Sequence, residues 1–239
     1  MRWLVATLLT AVLSGCGGPF IGTSVEGRPI EALTFGAGRP LVLIVGSIHG
    51  NEPEGLPAVA ALIERWTESP PPARSRVIPD LNPDATANRT RGNARGVDLN
   101  RNWPTANFRP SRTHGPAPLS EPESLALARE LARHPPDLVI VCHSIRSGPF
   151  VNFDGPAGEL AARFAAAAGL NDPRWRVVPD MGYGTPGSLG TYLGVERGVP
   201  ILTVEFSRGH DPDAAARALI AGVGAVLDAH PATVRDPTR

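Results

Sequence analysis

Lysine is absent from this 239-residue chain: its 23 basic side chains are all arginine, and 23 acidic ones balance them. With no net charge there is no global field to concentrate a polyanion, so nucleic acid is not an expected partner. Cysteine is scarce as well, and Cys16 and Cys142 alone cannot build the disulfide framework that staples a small secreted fold. Long apolar runs are missing too. The run from Trp3 to Leu13 falls well short of the roughly 20 residues that a spanning helix needs. What the chain does have is 26 Gly and 26 Pro, which mean many turns, together with 42% hydrophobic residues, too many for a disordered chain. Its length is enough to bury one sizeable core.

The apolar run from Trp3 to Leu13, preceded by Arg2, reads as a secretory signal rather than as part of the fold. Leu13-Ser14-Gly15-Cys16 at its end resembles the bacterial lipoprotein signal, which implies removal of residues 1–15 and lipid on Cys16. A chain so processed is expected to hang in the cell envelope, on a periplasmic or extracellular face, with the membrane as a partner through its acyl chains. Residues 16–29 then read as a tether. Cys142, left alone, reads as a small buried hydrophobe.

From residue 30 to 230, short apolar runs alternate with helical patterns, and 231–239 read as a tail. This alternation predicts an α/β single domain whose mixed, largely parallel twisted sheet is flanked by helices on both faces. Leu41 to Gly46, Asp137 to Cys142 and Ile201 to Phe206 are apolar at consecutive positions, as strands buried on both faces are. Shorter strands are expected near Val77 and Ile78, at Val151 to Phe153 and at Val177 and Val178. Helices are expected over Leu56 to Trp66, Leu125 to Leu131, Glu159 to Ala168, Leu189 to Glu196 and Asp213 to Ala229, with Ser120 and Glu123 as a capping box for the second. Between Pro79 and Ser120 runs a long polar segment without periodicity, and such a loop in a compact domain is usually functional or disordered.

In open α/β sheets ligands collect beyond the carboxyl ends of the strands. Three such ends carry chemistry. Ser47-Ile48-His49-Gly50-Asn51-Glu52 follows the first buried strand, His143-Ser144 follows the second, and Glu205 sits inside the third. A hydrolytic zinc needs three protein ligands and an open position, commonly two ligands close together on one loop and a third from a distant element. His49 and Glu52 can share one ion from a tight turn, and His143 can supply the third ligand. That set leaves the site with one net positive charge, which acidifies water and polarises a carbonyl. Glu205 interrupts an apolar run where an unpaired charge is costly, and a carboxyl in such surroundings gains the proton affinity of a general base. His114, His134, His210 and His230 lie outside any motif and read as surface residues.

Gly96-Val97-Asp98-Leu99-Asn100-Arg101-Asn102-Trp103-Pro104, taken with His49-Gly50-Asn51-Glu52, His143-Ser144 and Thr203-Val204-Glu205-Phe206, resembles the zinc carboxypeptidase, or M14 metallopeptidase, family, with the motifs in that family's order. Asn82-Pro83-Asp84, Arg91 and the short chain look most like the branch containing murein tripeptide amidases, which cut between γ-D-glutamate and diaminopimelate. The resemblance implies one zinc ion held by His49, Glu52 and His143, with Glu205 activating water and Arg91 stabilising the oxyanion. It also implies that Asn100 and Arg101 grip the terminal carboxylate of a peptide substrate, and that Tyr183, between Gly182 and Gly184, covers it. A rigid guanidinium fork suits the role given to Arg101. Leu189 lies near the family's pocket position and leaves the preference for the leaving residue open.

Two other readings share parts of this pattern. Deacylases of the aspartoacylase and succinylglutamate desuccinylase group also carry His-Gly-Asn-Glu and Asp-Leu-Asn-Arg, but Asn102-Trp103-Pro104 and Ser144 look like the peptidase side. A lipid-anchored binding module that has lost catalysis would lack a ligand or the base, and none is lacking.

Overall fold

The computed structural model describes residues 20–229 apart from Asn171, so the signal and lipidation site expected around Cys16 lie outside the described residues. A hairpin of β1 (Phe20–Thr23) and β2 (Pro29–Glu31) leads to β3 (Leu33–Phe35), β4 (Leu41–Val45), α1 (Gly55–Glu68) and β5 (Arg74–Ile78). A short α2 (Pro83–Asn88) and α3 (Pro122–Arg133) precede β6 (Leu138–Ile145) and β7 (Phe150–Asp154), and the chain ends through α4 (Gly158–Ala168), β8 (Ile201–Ser207) and α5 (Pro212–Ala229). The main sheet has the order β3-β5-β4-β6-β8-β7. Its four central strands are parallel, while β3 and β7 run antiparallel at the edges.

The consecutive apolar residues of β4, β6 and β8 are buried because both faces of the sheet are covered. Val42, Ile44, Ile140 and Val204 face α1, α4 and α5, and Leu43, Val45, Val139 and Val141 face α3 and the β1–β2 hairpin. The side-chain period of two in a strand makes this division. His143 and Glu205 fall on the α3 side, two positions along from Val141 and four from Ile201. From β4 the chain crosses to β5 on one side, and from β6 it continues toward β8 on the other. The carboxyl ends of β4 and β6 therefore flank a topological switch point, where a crevice opens.

Several expectations need correction. The folded part starts by Phe20, inside the stretch read as a tether, because Ile21 and Ile30 bury against the α3 layer and Ser24 donates to Asp84 at 2.7 Å. The capping box does not form. Pro122 starts α3, and Glu123 turns inward to accept from Val25 N at 3.0 Å and from Asn93 Nδ2 at 3.0 Å. Val177 makes only an isolated bridge to Val151. The helix expected from Leu189 forms, with a π-helical stretch at Thr191–Val195. His210 is buried rather than on the surface, packed against Trp175 and Phe206. Cys142 is buried as expected, and burial pushes its thiol up to about 12.

Candidate metal centre and substrate cavity

The turn after β4 brings two groups to one point. Gly50 can occupy its place because it has no side chain: a Cβ there would lie 1.9 Å from the carbonyl carbon of Ala85 in α2. This close approach folds the loop back so that His49 Nδ1 and Glu52 Oε1 stand 3.1 Å apart. Across the switch point His143 Nδ1 is 2.8 Å from Glu52 Oε2, and the backbone N–H of Ser144 donates to the same oxygen at 3.2 Å. The two imidazole centroids are 4.8 Å apart. One candidate ligand atom from each of His49, Glu52 and His143 lies within 4.8 Å of the others, and all three residues are buried.

This set fits a zinc ion. Two neutral imidazoles and a carboxylate are a usual catalytic donor set, and among the described residues the buried His49 Nδ1 meets no polar partner but the Glu52 carboxylate, a fellow candidate ligand. Its other nitrogen, Nε2, lies 2.8 Å from Asp98 Oδ1, which orients the ring and reserves Nδ1 for a ligand bond. Asp98 Oδ2 accepts from Arg91 Nε at 2.9 Å, and Arg91 Nη1 donates to Glu52 Oε1 at 2.9 Å, closing a ring of alternating charge. Asp98 carries no role in the sequence reading, where it stands as an unremarked acid beside Leu99. The available signal was that it lies two residues before Asn100 in a segment already singled out.

The electrostatics follow from this packing. Burial disfavours the Glu52 carboxylate, but hydrogen bonds from His143 and His49 outweigh it and hold the group well below the usual carboxylate range. Asp98 is depressed in the same way, by its bond to His49 against burial. For His49, burial lowers the pKa, yet the bonds to Asp98 and Glu52 leave it raised. Glu205 behaves oppositely to the other acids. Burial raises it and the attraction of His143 only partly offsets that, with the negative charge of Glu52 adding to the rise.

All eight residues singled out from the sequence line one cavity of about 480 Å³: His49, Glu52, Arg91, Asn100, Arg101, His143, Tyr183 and Glu205. Glu205 pairs in register with His143 on the neighbouring parallel strand, so the two side chains stand side by side on one face. Asn100 and Arg101 come from a single turn of 3-10 helix at Leu99–Arg101, whose start Asp98 caps by accepting from Asn100 N at 2.9 Å. Asn100 Oδ1 accepts from Leu189 N at 2.9 Å, and among the described residues its Nδ2 has no acceptor, so it can donate into the cavity that Asn100 lines. Gly187, with φ 68°, packs on the carbonyl of Arg101, where a Cβ would come within 2.3 Å of the oxygen. Tyr183 stands at the rim on the loop before it, 56% exposed. Leu189, by contrast, is buried in the α3-side core.

The cavity continues down the sheet away from Glu205. Asn152 and Asp154 on β7 are the register partners of Thr203 and Ile201, so Thr203, Asn152 and Asp154 follow one another on the same face. Gly190 closes this end, since a Cβ there would lie 2.1 Å from Asp154 Oδ2. Asp154 is half-buried, and loss of solvent raises its carboxyl above its ordinary pKa.

A fold of this topology, with two histidines and a glutamate converging at the switch point, defines a zinc-dependent hydrolase. The chain belongs to the zinc carboxypeptidase family, peptidase M14, whose model matches residues 19–157. Among its relatives is murein peptide amidase A of Escherichia coli strain K12, 30% identical over 203 residues that cover 77% of this chain and 79% of that protein. The Vibrio campbellii protein of the same name is 32% identical over 207 residues, 77% of each. The crystal structure of the murein-tripeptide amidase MpaA from E. coli O157 superposes with a TM-score of 0.74 at 28% identity, covering 92% of this chain and 95% of that one. Carboxypeptidase A of Helicoverpa armigera shares the fold, with a TM-score of 0.73 at 20% identity, over 88% of this chain and 68% of its own.

Proposed function

We propose that this protein is a murein peptide amidase, cleaving the amide bond between γ-D-glutamate and a diaminopimelate whose carboxylate is free, with Glu205 as its general base. The observation that carries this reading is the placement of Glu205 beside His143, its proton affinity raised, in the same cavity as the His49, Glu52 and His143 donor set. The murein branch is supported by the relatives' activity and by the cavity floor. Asn152, Asp154 and Thr203 make that floor polar, which suits a leaving residue with a zwitterionic far end better than an aliphatic one.

His49, Glu52 and His143 would hold the zinc, which when bound supplies Lewis-acid polarisation of the scissile carbonyl and acidifies water. Arg101, with one nitrogen on the carbonyl of Asn100 at 2.6 Å and the rest of its fork unpaired among the described residues, grips the terminal carboxylate together with Asn100 Nδ2. Glu205 takes a proton from the attacking water onto its carboxylate and delivers it to the leaving nitrogen. Arg91, already aligned by Asp98 and Glu52, meets the negative charge that develops on the carbonyl oxygen. Tyr183 closes over the substrate from a loop whose glycines give it freedom.

Glu205→Gln keeps the shape and removes the base. Hydrolysis of γ-D-glutamyl-diaminopimelate is expected to fall by about 10³-fold or more with zinc content unchanged, measured by chromatography of the products and by metal analysis. Full activity in that variant would remove Glu205 from the role. Ordinary peptides with a free C-terminus, assayed alongside, test whether the γ-linkage is required.

We also propose export and lipid attachment at Cys16, supported by Arg2, the apolar run to Leu13 and the residues Leu13-Ser14-Gly15 before it. Radiolabelled palmitate is expected to enter the wild-type chain expressed in bacteria and not the Cys16→Ser variant. Equal labelling of both would exclude this cysteine.

A further inference from the structure

Two arginines in the cavity wall have no part in the scheme above. Arg146 follows β6 and Arg208 follows β8, and the two stand next to each other because Arg208 N donates to the carbonyl of Ile145 at 3.1 Å. Both line the same cavity as the metal ligands. Arg208 is partly engaged, since one nitrogen bonds the carbonyl of Asn51 and another lies 3.7 Å from Glu52 Oε1. Arg146 makes no hydrogen bond or ion pair among the described residues, and it is exposed to the cavity mouth.

Their position relative to the reacting point is set by the strands. Arg146 and Arg208 stand in the turns just past the carboxyl ends of β6 and β8, three residues beyond His143 and Glu205 and so at most about 10 Å from them along the chain. Asp154 lies on the other side, level with Ile201, four residues before Glu205 and about 13 Å away. Asn100 belongs with that acidic end, because it bonds Leu189, whose neighbour Gly190 packs against Asp154. A substrate whose leaving residue reaches Asn100, Arg101 and Asp154 must therefore lay its acyl residue toward Arg146 and Arg208. A glutamate joined through its side-chain carboxyl keeps its α-carboxylate free on that acyl side, only a few bonds from the scissile carbonyl. An α-linked neutral residue has no anion there.

We propose that Arg146 and Arg208 form a carboxylate subsite for the acyl residue, and that this subsite makes the enzyme select γ-linked glutamate; the inference rests on the amidase reading above. Arg146 is the principal donor, its planar fork unengaged, and Arg208 adds charge from the adjoining strand end.

The test compares γ-D-glutamyl-diaminopimelate with the same compound carrying a carboxamide in place of the α-carboxylate, on zinc-loaded wild type, Arg146→Gln and Arg146→Glu. Wild type is expected to prefer the free carboxylate by about 10- to 100-fold in kcat/KM, the range of one charge-assisted contact. Arg146→Gln should lose most of that preference while cleaving the carboxamide nearly as before, and Arg146→Glu should reverse it. Circular dichroism and zinc content verify that the variants are folded and loaded. Equal cleavage of the two compounds by wild type overturns the subsite alone, as does an equal fall on both in Arg146→Gln. No cleavage of either by wild type overturns the amidase reading and the subsite with it.

Discussion

Asp98 offers the sharpest test of how the metal centre is built, because its two oxygens do separable work. Oδ1 is 2.8 Å from His49 Nε2 and also caps Asn100 N, while Oδ2 holds Arg91 Nε. Asp98→Ala removes all three contacts. Loss of a carboxylate that orients a ligating histidine typically lowers metal affinity by about 10- to 100-fold, or about 1.4 to 2.7 kcal/mol. Asp98→Asn keeps an acceptor for His49 and Asn100 but sets an NH₂ group against Arg91 Nε, so it should spare most of the zinc affinity while uncoupling Arg91. Zinc affinity is read by competition with a chromophoric chelator, and kcat and KM on a γ-D-glutamyl amide are read in parallel at saturating zinc. The alanine variant is expected to lose both metal affinity and activity, the asparagine variant chiefly kcat. Wild-type zinc affinity in Asp98→Ala would refute the claim that this carboxylate fixes the imidazole.

Removing zinc should give the protein a distinctive dependence on pH. The pKa of His49 is raised above 6.5, so the stability it lends the metal-free protein is complete below 6.5 and disappears as pH rises through its folded value. Asp98 and Glu52 are depressed below 3.8 and 4.5, so their contributions are present above those values and disappear as pH falls through the folded ones. Zinc requires the neutral imidazole. The increase in Tm on adding zinc is therefore expected to grow between about pH 5 and pH 8, and an increase that shrinks over that range would contradict the assignment of His49 as a ligand. Gly50→Ala forces a methyl group into the backbone of Ala85. It should lower stability by about 1–3 kcal/mol and weaken zinc binding together, measured by thermal unfolding and metal titration, and an unchanged Tm would disprove the tight contact.

The sheet's centre was legible in the sequence because burial on both faces makes strands apolar at consecutive positions. Leu41–Val45, Leu138–Ile145 and Ile201–Ser207 emerge where consecutive apolar residues predict them, except that the second strand continues past Cys142, so His143 and Ser144 lie within it rather than after it. The sheet's flanks were legible only in part. Val77 and Ile78 announce β5 and Val151 to Phe153 announce the β7 edge, but β5 begins with Arg74-Ser75-Arg76, and nothing local reveals that Arg76 is neutralised by Glu130 of α3 and donates to Thr34 at 2.7 Å. The first hairpin is short and polar, and it is held from afar by Asp84, which accepts from Ser24 and from the backbone of Glu26. Such elements are made by partners that stand distant in the chain, and a local pattern cannot contain them.

The site divides along the same line. Residues whose chemistry is costly where they stand, such as a carboxylate within Ile201–Phe206, betray themselves. Residues in the polar segment do not, because a loop is where charges ordinarily lie. Arg91, Asp98, Asn100 and Arg101 all occupy the aperiodic stretch between Pro79 and Ser120, and the fold spends little regular structure there beyond α2 and one turn of 3-10 helix. Part of what orders the stretch is the site itself: Asp98 bonds His49, Arg91 bonds Glu52, and Asn100 and Arg101 meet the loop at Gly187 and Leu189, while Asn93 and Asn102 tie it to α3 and to its own turns. The loop that would carry the substrate and the ligands that would carry the metal are thus one hydrogen-bonded unit, so a change in either is transmitted to the other through contacts of about 2.8–2.9 Å.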